Sequence, residues 1–163
     1  MMKKQIIETA RWLWENKFIV GTDGNLSVRL DDDRIMVTPG GLAKGRLSPD
    51  DLVLVDRNGK HLQGQNKASS ELAMHLCVYR ERPDITACVH SHAPYSTAFA
   101  VAGVHLAEDV LPEVVVGVGG IPLTDYAPPG TDAVPKVLEP FLADNNAFLL
   151  RNHGLLTIGR TLE

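Results

Sequence analysis

Two cysteines in 163 residues are too few for a disulfide framework, and no run of the chain is apolar for long enough to cross a bilayer. Basic residues are not in excess either. Lys and Arg total 16 against 20 acidic residues, and the resulting net charge of -4 argues against a nucleic-acid surface. Neither a membrane nor a nucleic acid is expected as a partner. The start, Met-Met-Lys-Lys-Gln, is charged, but no apolar stretch follows it as in a secretory signal, so a cytoplasmic location is expected. His-Glu-x-x-His is missing, which removes zincin-type peptide hydrolysis, and neither the P-loop nor the dinucleotide fingerprint occurs. Cys77 and Cys88 read as small buried hydrophobes. What remains, at 44% hydrophobic and 22% charged, is a length that suits one globular domain with a real core.

Against these absences, the stretch Asn66 to Thr97 collects a carboxylate and two imidazoles within one short helix-to-strand unit. Ser69 and Ser70 precede Glu71 and a run in which Leu72, Leu76 and Tyr79 share a helical face. Either serine is placed to cap that helix, with Glu71 in its first turn and Pro83 beyond its end. Ile85 to Val89 then has the length of a buried strand and delivers His90 and His92 at its C-terminal end. Residues two apart on a strand point to the same side, so His-x-His aims two imidazoles at one point, as a divalent transition metal requires. A lone strand histidine is more often a core or surface residue. The turn Arg151-Asn152-His153-Gly154, between the apolar runs Ala147 to Leu150 and Leu155 to Ile158, offers a third imidazole. Three histidines with one nearby carboxylate describe an open site, with a position left for substrate or water.

Elsewhere, Ile6, Ile7, Ala10, Leu13 and Trp14 recur with helical period over Lys3 to Phe18, and Trp12 falls near the edge of that stripe. Gly21 to Ser27 is a loop able to turn backbone N–H groups toward an anion, although an ordinary turn into a strand is the plainer reading. Asp31 to Arg34 and Asp56 to Gly59 are hairpin turns, so the first part of the chain is strand-rich and antiparallel. Tyr95 to Val101 predicts a short helix, Val114 to Val118 and Ile121 to Tyr126 two extended runs, and Gly130 to about Ala143 a helix interrupted by Pro135 and Pro140. His75 shares a helical face with Glu71, one turn on, where it can support the site from behind. His61, His105 and Lys67 read as surface or structural.

The segments Gly21-Thr-Asp-Gly-Asn-Leu-Ser27, Thr38-Pro-Gly-Gly41, Ser69-Ser-Glu71, His90-Ser-His92 and Arg151-Asn-His-Gly154 resemble, in order and spacing, the class II aldolase/adducin family. Within it they are most similar to the fuculose-phosphate aldolases, and the resemblance covers nearly the whole chain. It implies a three-layer α/β/α fold with a mixed, mostly antiparallel central sheet. It also implies zinc or another divalent metal held by His90, His92 and His153, with Glu71 a fourth ligand when substrate is absent and otherwise the acid/base. A substrate phosphate is implied at Thr22, Asn25, Gly40, Gly41, Ser69 and Ser70. The implied reaction cleaves a ketose 1-phosphate, such as L-fuculose 1-phosphate, to dihydroxyacetone phosphate and an aldehyde. Alternatives within the family are methylthioribulose-1-phosphate dehydratase-like chemistry, decarboxylation of a sugar-acid phosphate and sugar-phosphate 4-epimerisation. A non-catalytic adducin-like interaction module is the alternative outside enzymes. The phosphorylated sugar would be the small-molecule partner and a homo-oligomer, a tetramer, the working form.

Two departures from the family pattern stand out. Glu113 occupies the position aligned with a tyrosine that assists from a neighbouring subunit in the aldolases, and a carboxylate there resembles the acid/base glutamate of the dehydratases. Family members also continue past the His-Gly turn into C-terminal helices, whereas residues 1–163 stop at Thr161-Leu-Glu163, as expected of a single domain truncated at that end.

Overall fold

A computed structural model of the chain describes residues 2–106, 116 and 120–162. Helix α1 (Met2–Glu15) forms where the helical period was read, burying Ile6, Ile7, Ala10 and Leu13 while Lys4 and Glu8 pair across its exposed face at 3.5 Å. Trp12 stands 55% exposed and meets Phe18 edge to face. Strands β1 (Asn25–Arg29) and β2 (Arg34–Val37) follow as a hairpin. Its turn closes because one Asp31 oxygen accepts the backbone N–H of Asp33 and of Arg34. Asp56 does the same for Asn58 and Lys60 between β3 (Val53–Asp56) and β4 (His61–Gln63).

The second half alternates helix and strand. Helix α2 (Leu72–Glu81) leads to β5 (Ala87–Ser91), α3 (Pro94–Ala102), α4 (Ala133–Leu138) and the hairpin of β6 (Ala147–Leu150) with β7 (Gly154–Gly159). The sheet runs β4-β3-β2-β1-β5-β7-β6, and all its strand pairs are antiparallel. Its mixed character rests on one parallel bridge, Leu123 to Leu149. That bridge covers the outer side of β6, where Pro122 O accepts from Leu149 N–H and Thr124 N–H donates to Leu149 O.

Strand alternation divides the core into two layers. Leu26, Val28 and Met36 face α1, whereas Ile35, Val37, Val53, Val55, Cys88 and Phe148 face α2 and α4. Helix α3 packs its Ala100 on Leu149, on the α1 side of the sheet. Three layers, α/β/α, result, as the resemblance implied. Both cysteines are free and buried. Among the described residues no helix is long and apolar enough to cross a membrane.

Several boundaries differ from expectation. Neither serine caps α2 by side chain. Glu71 itself holds the N-cap position, one residue before the helix, and its N–H reaches Ser69 Oγ at 3.3 Å. Strand β5 starts two residues later than the apolar run suggested, because Ile85 N–H closes a turn onto Arg82 O. It also runs two residues further, to Ser91, so His90 is inside the strand. Arg29 fixes this connection by donating to the carbonyls of Tyr79, Pro83 and Ile85. Ile121 to Tyr126 forms only the single bridge at Leu123, since Pro122 has no N–H to extend a ladder. The predicted helix to Ala143 is α4 plus a 3-10 turn over Glu139–Phe141, with Pro140 in the turn's first positions. Glu113 and the run Val114 to Val118 lie outside the described residues, apart from Val116.

Candidate metal centre

Antiparallel register builds this site. Asn25 on β1 stands opposite His90 on β5, and His90 stands opposite Leu156 on β7, so three central strands meet at one level. His92 lies just past the end of β5, and His153 sits in the β6–β7 turn, where Asn152 adopts a left-handed φ of 54°. Asparagine tolerates that conformation better than most residues. Helix α2 points its N-terminal end, and with it Glu71, at the same place.

His90, His92 and His153 each offer a ring nitrogen, and these atoms lie within 4.8 Å of one another. The Glu71 carboxylate completes the cluster, with Oε2 3.3 Å from His90 Nε2 and Oε1 3.0 Å from His153 Nε2. Whether these groups fit a cation can be tested on their own chemistry. His90 Nδ1 is 2.9 Å from Leu155 O, so it carries the proton and leaves Nε2 with a lone pair. His92 Nε2 approaches that nitrogen to 3.1 Å. On its other side, His92 Nδ1 faces Asp23 Oδ2 at 3.6 Å, which favours the proton there and a second lone pair at Nε2. With the outer ring nitrogens protonated in this way, two lone pairs meet next to a carboxylate, an arrangement that a cation among them stabilises. Glu71 Oε1, moreover, is buried, and its contact with His153 lacks the geometry of a hydrogen bond, so it has no donor. An orphaned carboxylate oxygen is costly in a protein interior and is the natural neighbour of a metal.

Burial depresses the pKa of His90 and of His92, keeping both imidazoles neutral, the form that ligates. Burial alone would raise the Glu71 carboxyl. The nearby His153 and His90 and the Asn25 amide outweigh it and hold the group below its ordinary range. Glu71 is ionised at neutral pH.

Behind Glu71 runs a chain of buried hydrogen bonds that links β1 to α2. Asn25 Nδ2 donates to Glu71 Oε2 at 2.8 Å, so its Oδ1 is free to accept from His75 Nε2 at 2.6 Å. His75 Nδ1 must then accept from Ser27 Oγ at 2.6 Å, and Ser27 Oγ in turn lies 2.7 Å from Tyr79 Oη. His75 thus stands behind Glu71, bonded to it through Asn25. Asn25, expected at a substrate phosphate, spends its amide on holding Glu71.

The other residues expected at a phosphate, Thr22, Gly40, Gly41, Ser69 and Ser70, line one cavity of about 340 Å³ together with Asn25, Glu71, His92 and His153. Sequence reasoning missed two further charged groups at this place. Asp23 lies beside His92, and Lys44, only 2% exposed, lines the cavity and donates to Thr22 O and Leu42 O, both at 2.8 Å. Burial pulls the Lys44 pKa down, opposed by the negative charges of Asp23 and Glu71. The one local sign of it was the density of glycines around it, Gly40, Gly41 and Gly45.

Residues 4–163 match the family described as Class II Aldolase and Adducin N-terminal domain. A 3-oxo-tetronate 4-phosphate decarboxylase of Haemophilus influenzae is 37% identical over 164 residues, covering 98% of this chain and 78% of the relative. An L-fuculose phosphate aldolase of Methanococcus maripaludis is 36% identical over 158 residues, covering 97% and 84%. Among solved structures, an L-fuculose 1-phosphate aldolase superposes with a TM-score of 0.90 at 30% identity, covering 98% of this chain and 75% of that one. The chain belongs to the class II aldolase and adducin family and is a lyase of its aldolase side.

Proposed function

We propose that the protein is a metal-dependent aldolase that cleaves a ketose 1-phosphate, such as L-fuculose 1-phosphate, to dihydroxyacetone phosphate and an aldehyde. The observation that carries this reading is one cavity lined by the ionised Glu71, by His92 and His153 of the three convergent imidazoles, and by the Thr22, Gly40 and Ser70 loops. His90, His92 and His153 would hold zinc or another divalent ion, which would supply Lewis-acid stabilisation of the negative charge that develops next to a breaking carbon–carbon bond.

The chain's own groups do the rest. When the bond breaks, its electron pair is left on the carbon next to the carbonyl, and that carbon must receive a proton. The hydroxyl group that becomes the aldehyde releases a proton in the same step, and Glu71, ionised at rest, stands where it can take up a proton and deliver it to that carbon, and take it back in the reverse direction. Asn25 occupies Oε2 of the carboxylate, so Oε1 is the oxygen that carries the proton. The Asn25–His75–Ser27 chain keeps the carboxylate from rotating away. Thr22, Gly40, Gly41, Ser69 and Ser70 hold the phosphate, which fixes the distance from the ester to the reacting carbon.

Decarboxylation of a 3-oxo sugar-acid phosphate is the second reading, favoured by the 37% identity to the Haemophilus influenzae decarboxylase. It breaks a carbon–carbon bond next to a carbonyl with the same charge development, and carbon dioxide leaves in place of the aldehyde. The test is metal content of the purified protein, followed by parallel assays of dihydroxyacetone phosphate release from ketose 1-phosphates and of carbon dioxide release from 3-oxo-tetronate 4-phosphate. About one divalent ion per chain and metal-dependent triose phosphate release are expected. Carbon dioxide release alone would replace the first reading with the second, and neither product from a metal-loaded protein would sink both.

A further inference from the structure

Lys44 is a cation placed where cations are expensive. It is 2% exposed, its two hydrogen bonds go to uncharged carbonyls, and no carboxylate among the described residues lies within ion-pair distance of its ammonium. Asp23 and Glu71 act on it only from beyond ion-pair distance, and a buried charge that no carboxylate pairs directly is costly unless a ligand completes it. The position is also fixed from behind. Gly45 packs so closely on α1 that a Cβ there would sit 2.4 Å from the Trp14 ring, which leaves the Lys44 backbone little freedom. From this anchor the side chain reaches the carbonyls of Thr22 and Leu42, one on each of the two loops that frame the cavity.

The geometry points to Lys44 as the residue that reads the negative charge of the substrate's phosphate. This deepens the proposed function and rests on its sugar-phosphate reading. Thr22, Gly40, Gly41, Ser69 and Ser70 offer hydroxyls and backbone N–H groups, which bind a phosphate without distinguishing it strongly from a neutral hydroxyl group, and Lys44 is the cavity's one lysine or arginine. A single ammonium supplies that distinction, because a charge-assisted hydrogen bond is about twice as strong as a neutral one. Lys44 has three N–H donors. Two bonds hold Thr22 O and Leu42 O, and the third is left for an anion. The Thr22 loop also carries Asp23 beside His92 and Asn25 beside Glu71, so the ammonium that receives the phosphate is bonded to the segment that aligns the reacting end.

Inorganic phosphate is the probe, titrated calorimetrically into the metal-loaded protein. Lys44→Met removes charge and donors, whereas Lys44→Gln removes the charge and keeps an amide that donates. Both variants are expected to retain metal content and to bind phosphate at least about tenfold more weakly, with a similar rise in KM for the phosphorylated substrate and little change in kcat. Phosphate bound as tightly by both variants as by the unaltered protein overturns the assignment, as it would if phosphate bound at the metal instead. If the unaltered protein itself binds no phosphate, the sugar-phosphate reading falls first and this inference with it. Should both substitutions unfold the chain, the Lys44 15Nζ resonance of the unaltered protein decides. It must move on phosphate addition, and a resonance that stays in place overturns the proposal.

Discussion

Glu71 carries two oxygens with different surroundings, and that asymmetry separates ligand from base. Oε2 accepts from Asn25, while Oε1 has no donor. Replacing the charge by an amide should leave the three imidazoles in place and remove the proton carrier. Glu71→Gln is therefore expected to keep its metal by elemental analysis and to lose at least about a hundredfold in kcat, the usual scale of general acid–base catalysis. His92→Ala should do the reverse in order of cause, losing the metal and activity with it. Full metal content in His92→Ala would show that the ion sits elsewhere. That His90, His92, His153 and Glu71 cluster was legible in the sequence because their positions follow from local rules, two histidines on one side of a strand end, one in a glycine-bounded turn and a carboxylate at a helix start. Lys44, Asp23 and the Ser27–Tyr79 contact were not legible. Each acquires its meaning from a residue far off in the chain, and no spacing encodes such a meeting.

Among the elements, the pairing of β5 with β7 sets how closely the imidazoles approach. Gly154, at the start of β7, has no side chain for good reason. A Cβ there would lie 2.6 Å from Ser91 O and 2.8 Å from the His92 ring, with His90 Cε1 at 3.2 Å. The backbone atom cannot yield cheaply, so the strands must part. Gly154→Ala is expected to destabilise the fold by roughly 1–3 kcal/mol and to weaken metal binding at the same time. Urea unfolding and a chelator competition would read the two effects, and a stable variant with unchanged affinity would show that the contact is slack. The hairpins were legible from Asp31 and Asp56, whose side chains close their own turns. The start of β5 was not, because its apolar run also includes Ile85, which the turn onto Arg82 takes out of the ladder.

For the whole molecule, the buried His75 ties stability to pH. Burial lowers its pKa from the ordinary 6.5 to about 4, with Glu71 opposing. The unfolded chain binds a proton near pH 6.5 and the folded one only near 4, so the unfolded state holds more protons in between and stability falls as pH falls through that window. Above about pH 6.5 the contribution is complete, and below about 4 no further change comes from this residue. Between pH 7 and pH 5 the loss from His75 alone is about 2 kcal/mol, with the buried His90 and the half-buried His92 acting in the same direction. Chemical denaturation of the metal-free protein at the two pH values measures it, and equal stabilities would mean that His75 is charged in the fold. The three-layer arrangement itself was legible from the family resemblance together with the alternation of strand and helix patterns.

The two ends of the sheet are finished differently. Strand β4 is three exposed residues long and joins β3 across an irregular register, a poor template for another strand. At the far end β6 is wholly buried, and its outward N–H and C=O at Leu149 are already taken by the Pro122–Thr124 segment. Growth by adding one chain's edge to the next is thus discouraged at both sides. Copies of this protein that meet are left to join through side chains on their helical faces, which is a contact that can be closed and counted, rather than through a sheet that has no reason to stop.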